Sequence, residues 1–175
     1  FGSGTLNQSD TYWSKFCTVC PTGIKNEFDS LSKKFEDLSF PIPNLMIHGL
    51  CPVTTPFDRY YNVETDKVNQ HGSCGVGFGA TIERHEKYYK LFFQDLFYPK
   101  ILREKLNNIR NYYKSKGCLN SNWVHSEFLL KKDIEFLIDN NIVHKCDFIL
   151  RQYENIIFEG AQGILLDMDF GFFPN

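Results

Sequence analysis

The sequence predicts an α/β domain. Residues 22–38 and 99–116 repeat apolar side chains at three and four, the spacing of an amphipathic helix. Residues 44–48 and 155–159 are short apolar runs of strand length. The second run ends in Glu159 and a Gly160-Ala161-Gln162-Gly163 turn, and α/β proteins place ligands in the loop after a buried strand.

Taken in order, residues 1–10 are polar, rich in Gly and Ser, and read as a loop. Ile24, Phe28, Leu31, Phe35 and Leu38 mark one face of the first helix, with Thr22 as its expected N-cap. Phe40-Pro41-Ile42-Pro43 stops it, because proline supplies no backbone donor. Asn44-Leu45-Met46-Ile47-His48 reads as a buried strand, and residues 49–70, with Pro52 and Pro56, as irregular chain. Next comes a glycine block, His71-Gly-Ser-Cys-Gly-Val-Gly-Phe-Gly-Ala80. Helical spacing resumes over residues 80–97. Pro99 opens the following helix, in which Ile101, Leu102, Leu106, Ile109 and Tyr113 recur and which Gly117 ends. Residues 128–138 read as a further helix, and 147–150 and 155–159 as strands.

Composition narrows the class. A hydrophobic content of 42% and a charged content of 23% over 175 residues suit one globular domain. The net charge is -2 and no basic run is dense enough to follow a phosphate backbone, so no nucleic-acid partner is expected. No apolar stretch reaches membrane-span length and no signal peptide is legible, so no membrane partner is expected either. Cys17, Cys20, Cys51, Cys74, Cys118 and Cys146 are expected as reduced cytosolic thiols. Cys17 and Cys20 have the spacing of half a zinc site or of a redox motif, but no second pair accompanies them. Tyr and Phe doublets without interleaved Arg and Lys point to packing rather than base stacking.

Several groups bear on chemistry. Gly160 and Gly163 permit a sharp turn, and Gln162 between small residues offers a donor and an acceptor. In the glycine block, alternate Gly75, Gly77 and Gly79 suit backbone amides converging on an anion, although no Gly-Lys-Ser/Thr closes a Walker A loop. Ser73 or Cys74 beside His71 or His85 is a remote nucleophile arrangement. Arg84 and Lys87 share a helix face near this loop, and Asp167 and Asp169 alternate as Mg²⁺ ligands or turn caps. Phe1 opens inside a Gly-Ser-Gly-Thr loop and Asn175 follows directly on the aspartate segment. Residues 1–175 are therefore expected to form a single partial domain of a larger protein.

Phe158-Glu-Gly-Ala-Gln-Gly-Ile-Leu-Leu-Asp-Met-Asp-Phe-Gly171 resembles the central signature of the adenylosuccinate synthetase family. The block from Gly72 to Ala80 is similar to that family's Gly-Thr-Thr-x-x-Gly-Ile-Gly-Pro-Ala loop, and Asp95-Leu96-Phe97 falls on a family Asp-Leu-Phe. The resemblance implies a partial P-loop-NTPase-related mixed sheet with a largely helical insertion. It implies a cytoplasmic, homodimeric ligase that uses GTP to join IMP and L-aspartate, with Mg²⁺ held by residues N-terminal to this segment. Gln162 would contact the purine near its 6-position, Leu166 would line the pocket, and Ser73, Cys74 and Gly75 would meet the nucleotide phosphate. Cys74 stands where the family has a phosphate-contacting Thr, and Tyr88 where it has an Arg reaching across the dimer. Arg84 or Lys87 is the expected substitute for that Arg. The family's Gly-Asp-Glu-Gly-Lys-Gly phosphate loop and its catalytic His element do not occur in the sequence, so residues 1–175 alone are expected to be inactive. A related ligase acting on a guanine deoxynucleotide and a non-catalytic nucleotide-binding or regulatory protein are the alternative readings.

Overall fold

A computed structural model of the chain describes residues 1–69, 72, 74–118 and 123–160. It is an α/β fold with a small parallel sheet flanked by helices, as the sequence predicts. Strands β1 (Thr11–Trp13), β2 (Leu45–His48) and β3 (His144–Lys145) run in that order across the sheet. Tyr12 lies opposite Met46, and Ile47 opposite His144. Two further bridges extend the pairing, Val19 with Val53 in parallel and Pro52 with Phe92 antiparallel. Between β2 and β3 the described elements are helical, which matches the expected helical insertion.

Helix α1 (Pro21–Leu38) starts with proline at its first position and ends as expected, with Ser39 in the left-handed region at φ +57°. Thr22 is not its N-cap: it lies inside the first turn and its hydroxyl donates to Asp133 of helix α5 (Trp123–Asp139). Ile24 and Phe35 are buried, and the ring of Phe28 meets Phe136 edge-on at 5.2 Å. Helix α4 (Pro99–Ser115) buries Leu102, Leu106, Ile109 and Tyr113, one stripe of a 3.6-residue period. Its end is a Schellman turn: Gly117 has φ +78°, Cys118 N–H donates to Tyr113 O at 3.0 Å and Gly117 N–H to Lys114 O at 3.0 Å.

Four expectations are corrected. Residues 49–70 are not irregular throughout, because helix α2 spans Pro56–Asn69. Thr55 and Asp58 start it reciprocally: Asp58 Oδ2 accepts from Thr55 N–H at 2.6 Å, and Thr55 Oγ1 accepts from Asp58 N–H at 3.4 Å. Residues 80–97 are not one helix. Helix α3 (Phe78–Glu86) stops at a turn where Tyr88 has φ +68°, and a 3₁₀ turn at Phe93–Phe97 begins anew. That second start is fixed by the Asp95 carboxylate, which accepts from Phe92 N–H at 2.7 Å and pairs with Lys105 at 2.6 Å. Residues 147–150 belong to a 3₁₀ turn, Asp147–Gln152, and the strand lies just before it. Residues 155–160 carry no regular secondary structure, and Ile157 and Phe158 are 94% and 90% exposed. Their apolar character suited a strand, but nothing pairs with them in the described sheet.

His85 locks the turn after α3. Its Nε2 accepts from Leu91 N–H at 3.3 Å, so the ring is neutral there, and it stands edge-on to Phe92 at 5.3 Å. Burial, with Arg84 beside it, pushes its pKa down to about 4. The unfolded chain therefore takes up this proton first as pH falls, at about 6.5. Stability held by His85 is complete above that value and drains away as pH drops through about 4. Unfolding free energies measured across this window should decline with falling pH. In His85→Gln the decline should be shallower by up to about one proton; an unchanged slope would contradict a buried neutral ring.

Candidate functional site

The glycine block begins where α2 hands the chain to α3. Gly72, Gly75 and Gly77 have φ of +69°, +69° and +84°, conformations glycine adopts without a Cβ clash. At Gly77 the approach is close as well, since a Cβ would lie 2.8 Å from Arg59 N. Gly77 N–H donates to Asn62 Oδ1 at 3.1 Å, and Gly77 O accepts from the Thr81 hydroxyl at 2.8 Å. Gly75 rests against Val63, with 3.2 Å to a Cβ placed there. Gly79 sits in the first turn of α3 with nothing near it, so it is not a third loop glycine. Cys74 is exposed at the loop surface.

Arg84 is not available to a ligand. Its side chain is 0% exposed, and so is that of Asp58. Arg84 Nε donates to Asp58 Oδ1 at 2.7 Å, and Nη2 donates to Asp58 Oδ2 at 3.1 Å and to Val53 O at 2.8 Å. Nη1 donates to Tyr89 O. Asp58 also accepts from Tyr113 Oη at 2.6 Å and from Thr55 Oγ1 at 2.7 Å. Burial, then the neighbouring Asp58 carboxylate, pushes the Tyr113 phenol far above its ordinary range. The expectation that Arg84 supplies a phosphate contact is therefore corrected: a guanidinium with these partners is an internal tie between α2, α3 and α4. Lys87, three residues on, is exposed.

Sequence reasoning missed Asp58 and Asn62, and read Tyr113 only as a packing residue. The Thr55-Pro-Phe-Asp58 spacing was a legible helix-start signal, and it would have placed Asp58 and Asn62 one turn apart on α2. Periodicity marks Tyr113 as a core position, but nothing local marks its hydrogen bond to Asp58, 55 residues away.

Ser73, Gln162 and Leu166 lie outside the described residues, as do His71, Asp167 and Asp169. Glu159 is held from the amino-terminal side, since its Oε2 accepts from Ser3 N–H at 3.1 Å and from Ser3 Oγ at 3.0 Å. A separate cleft of about 410 Å³ opens at the carboxyl ends of β2 and β3, lined by His48, Gly49, Gln94, His144, Lys145 and Cys146. It contains none of the sequence-derived site residues. All six cysteines are free thiols. Among the described residues no three His, Cys, Asp or Glu side chains converge as metal ligands, around Cys17 and Cys20 or elsewhere. Nor is any described helix long and apolar enough to cross a membrane.

A family model described as adenylosuccinate synthetase matches residues 1–175, the whole chain. The chain belongs to the adenylosuccinate synthetase family. A curated adenylosuccinate synthetase from Trichodesmium erythraeum is 32% identical over 172 residues, spanning 89% of this chain and 37% of that protein. The Synechocystis counterpart is 31% identical over 168 residues, with 89% and 36% covered. The synthetase of Neisseria meningitidis is 27% identical over 194 residues, with 98% and 42% covered. This family member is thus divergent, and it spans between 36% and 42% of the length of these relatives.

The buried tie makes a stability prediction. Arg84→Met leaves Asp58 charged without its cation and should cost about 3–5 kcal/mol. Tyr113→Phe removes one donor and should cost about 1–2 kcal/mol. Urea unfolding at neutral pH tests both, and an Arg84→Met loss below about 1 kcal/mol would contradict a desolvated pair.

Proposed function

We propose that this chain forms the purine-nucleotide part of a GTP-dependent carbon–nitrogen ligase that joins IMP and L-aspartate to give adenylosuccinate. The observation that carries the reading is the family match over all 175 residues. In this reading the chain works within a longer cytoplasmic polypeptide that forms a homodimer, and is inactive by itself. GTP phosphorylates the purine 6-oxygen, and the aspartate amine then displaces that phosphate.

Each site residue has a physical task. Gln162, on a turn freed by Gly160 and Gly163, directs its carboxamide N–H at the purine 6-oxygen and stabilises the charge that develops there. Leu166 provides an apolar wall beside the base. Ser73, Cys74 and Gly75 meet the nucleotide phosphate through hydroxyl and backbone N–H donors. A thiol is a weak hydrogen-bond donor, so Ser73 and the amides carry the contact that Cys74 cannot. With Arg84 spent inside the fold, Lys87, which is exposed, is the other cation named from the sequence for the phosphate. The family implies Mg²⁺ alongside GTP, where it supplies charge neutralisation on the transferring phosphate. The described residues offer no ligand set for it, so no step is assigned to the ion here.

Cys74 and the burial of Arg84 alter the expected phosphate contacts and leave room for one alternative, a ligase of the same chemistry acting on a guanine deoxynucleotide. Assaying the full-length gene product with GTP, aspartate and either IMP or dGMP separates the two. Turnover of IMP supports the proposal, turnover of dGMP alone favours the alternative, and binding without turnover of either points to a non-catalytic nucleotide-binding protein. In an active enzyme Gln162→Ala should lower kcat roughly a hundredfold; an unchanged kcat would remove Gln162 from the reacting centre.

A further inference from the structure

We infer that Asn62 is the positioning residue that holds the 74–77 loop in its ligand-binding shape, an inference that rests on the proposed role of Cys74 and Gly75 at the nucleotide phosphate. The loop contains two left-handed glycines, and such a backbone has many accessible shapes unless something outside it fixes one. Among the described residues, α3 holds Gly77 O through Thr81, and α2 supplies the contacts to the rest of the loop. Asp58 ties α2 to α3 through Arg84. One turn along, Asn62 Oδ1 accepts from Gly77 N–H at 3.1 Å, where the loop enters α3. Next to each of them in sequence, the backbone of Arg59 abuts Gly77 and the side chain of Val63 abuts Gly75.

The arrangement divides the labour. The buried pair sets where α3 stands, whereas the Asn62 bond sets the orientation of the peptide unit two residues beyond Gly75. Because Gly77 N–H turns inward to Asn62, it does not face a ligand. Asn62 is only half-buried, and alanine favours a helix more than asparagine does. Removing its side chain should therefore loosen the loop without unfolding α2.

The test uses the full-length protein with Asn62→Ala and Asn62→Asp, the second of which keeps the acceptor oxygen. Amide hydrogen exchange reads the loop directly. Asn62→Ala should speed exchange at Gly77 roughly three- to tenfold, leave α4 unchanged, and be largely reversed in Asn62→Asp. In parallel, the nucleotide KM should rise roughly three- to tenfold in Asn62→Ala with kcat altered by less than about twofold. Unchanged exchange overturns the inference, and so does faster exchange with an unchanged KM. A wild-type protein that turns over no nucleotide defeats the ligase reading instead, and the exchange result then decides by itself whether Asn62 pins the loop.

Discussion

Asp58 accepts five hydrogen bonds on a side chain wholly withdrawn from water, from Thr55 N–H and Oγ1, from Nε and Nη2 of Arg84, and from Tyr113 Oη. Taking a carboxylate and a guanidinium out of water costs several kcal/mol each, and attraction offsets that cost only when the remaining donors and acceptors are matched. Here nearly all of them are. The cluster ties the three helices together, because any slip of α2, α3 or α4 leaves a buried charge without its partner. The glycine loop hangs between two of these helices, so its position follows from theirs.

The same logic explains what was legible in the sequence. Helix α4 was read nearly to its ends because its burial is periodic and apolar, with proline to open it and glycine to close it. Helix α1 and strand β2 were read for similar reasons. Helix α2 was hidden because its inward face includes Asp58 and Asn62 as well as Phe57, so the hydrophobic pattern that betrays a helix was broken by the residues that matter most. Arg84 was misplaced for a related reason. An arginine near a glycine loop reads as a surface cation, and only a carboxylate 26 residues earlier in the chain makes it a core residue.

At the candidate site the glycines announced a turn, and positive φ at Gly72, Gly75 and Gly77 bears that out. That Gly77 N–H turns inward was not legible, because its acceptor, Asn62, lies fifteen residues earlier. The strand expected at 155–159 has the composition for burial but no neighbour in the described sheet, and composition alone does not supply a partner. Family membership gives these local features a common setting, the adenylosuccinate synthetase fold.

The account stands on a division between residues that hold the loop and residues that meet the ligand. A crystal structure of the full-length protein with IMP bound tests it most directly. It should show the amides around Cys74 and Gly75 on the nucleotide phosphate while Arg84 stays closed on Asp58. A guanidinium of Arg84 swung out onto the phosphate, with Asp58 left to other partners, would contradict it.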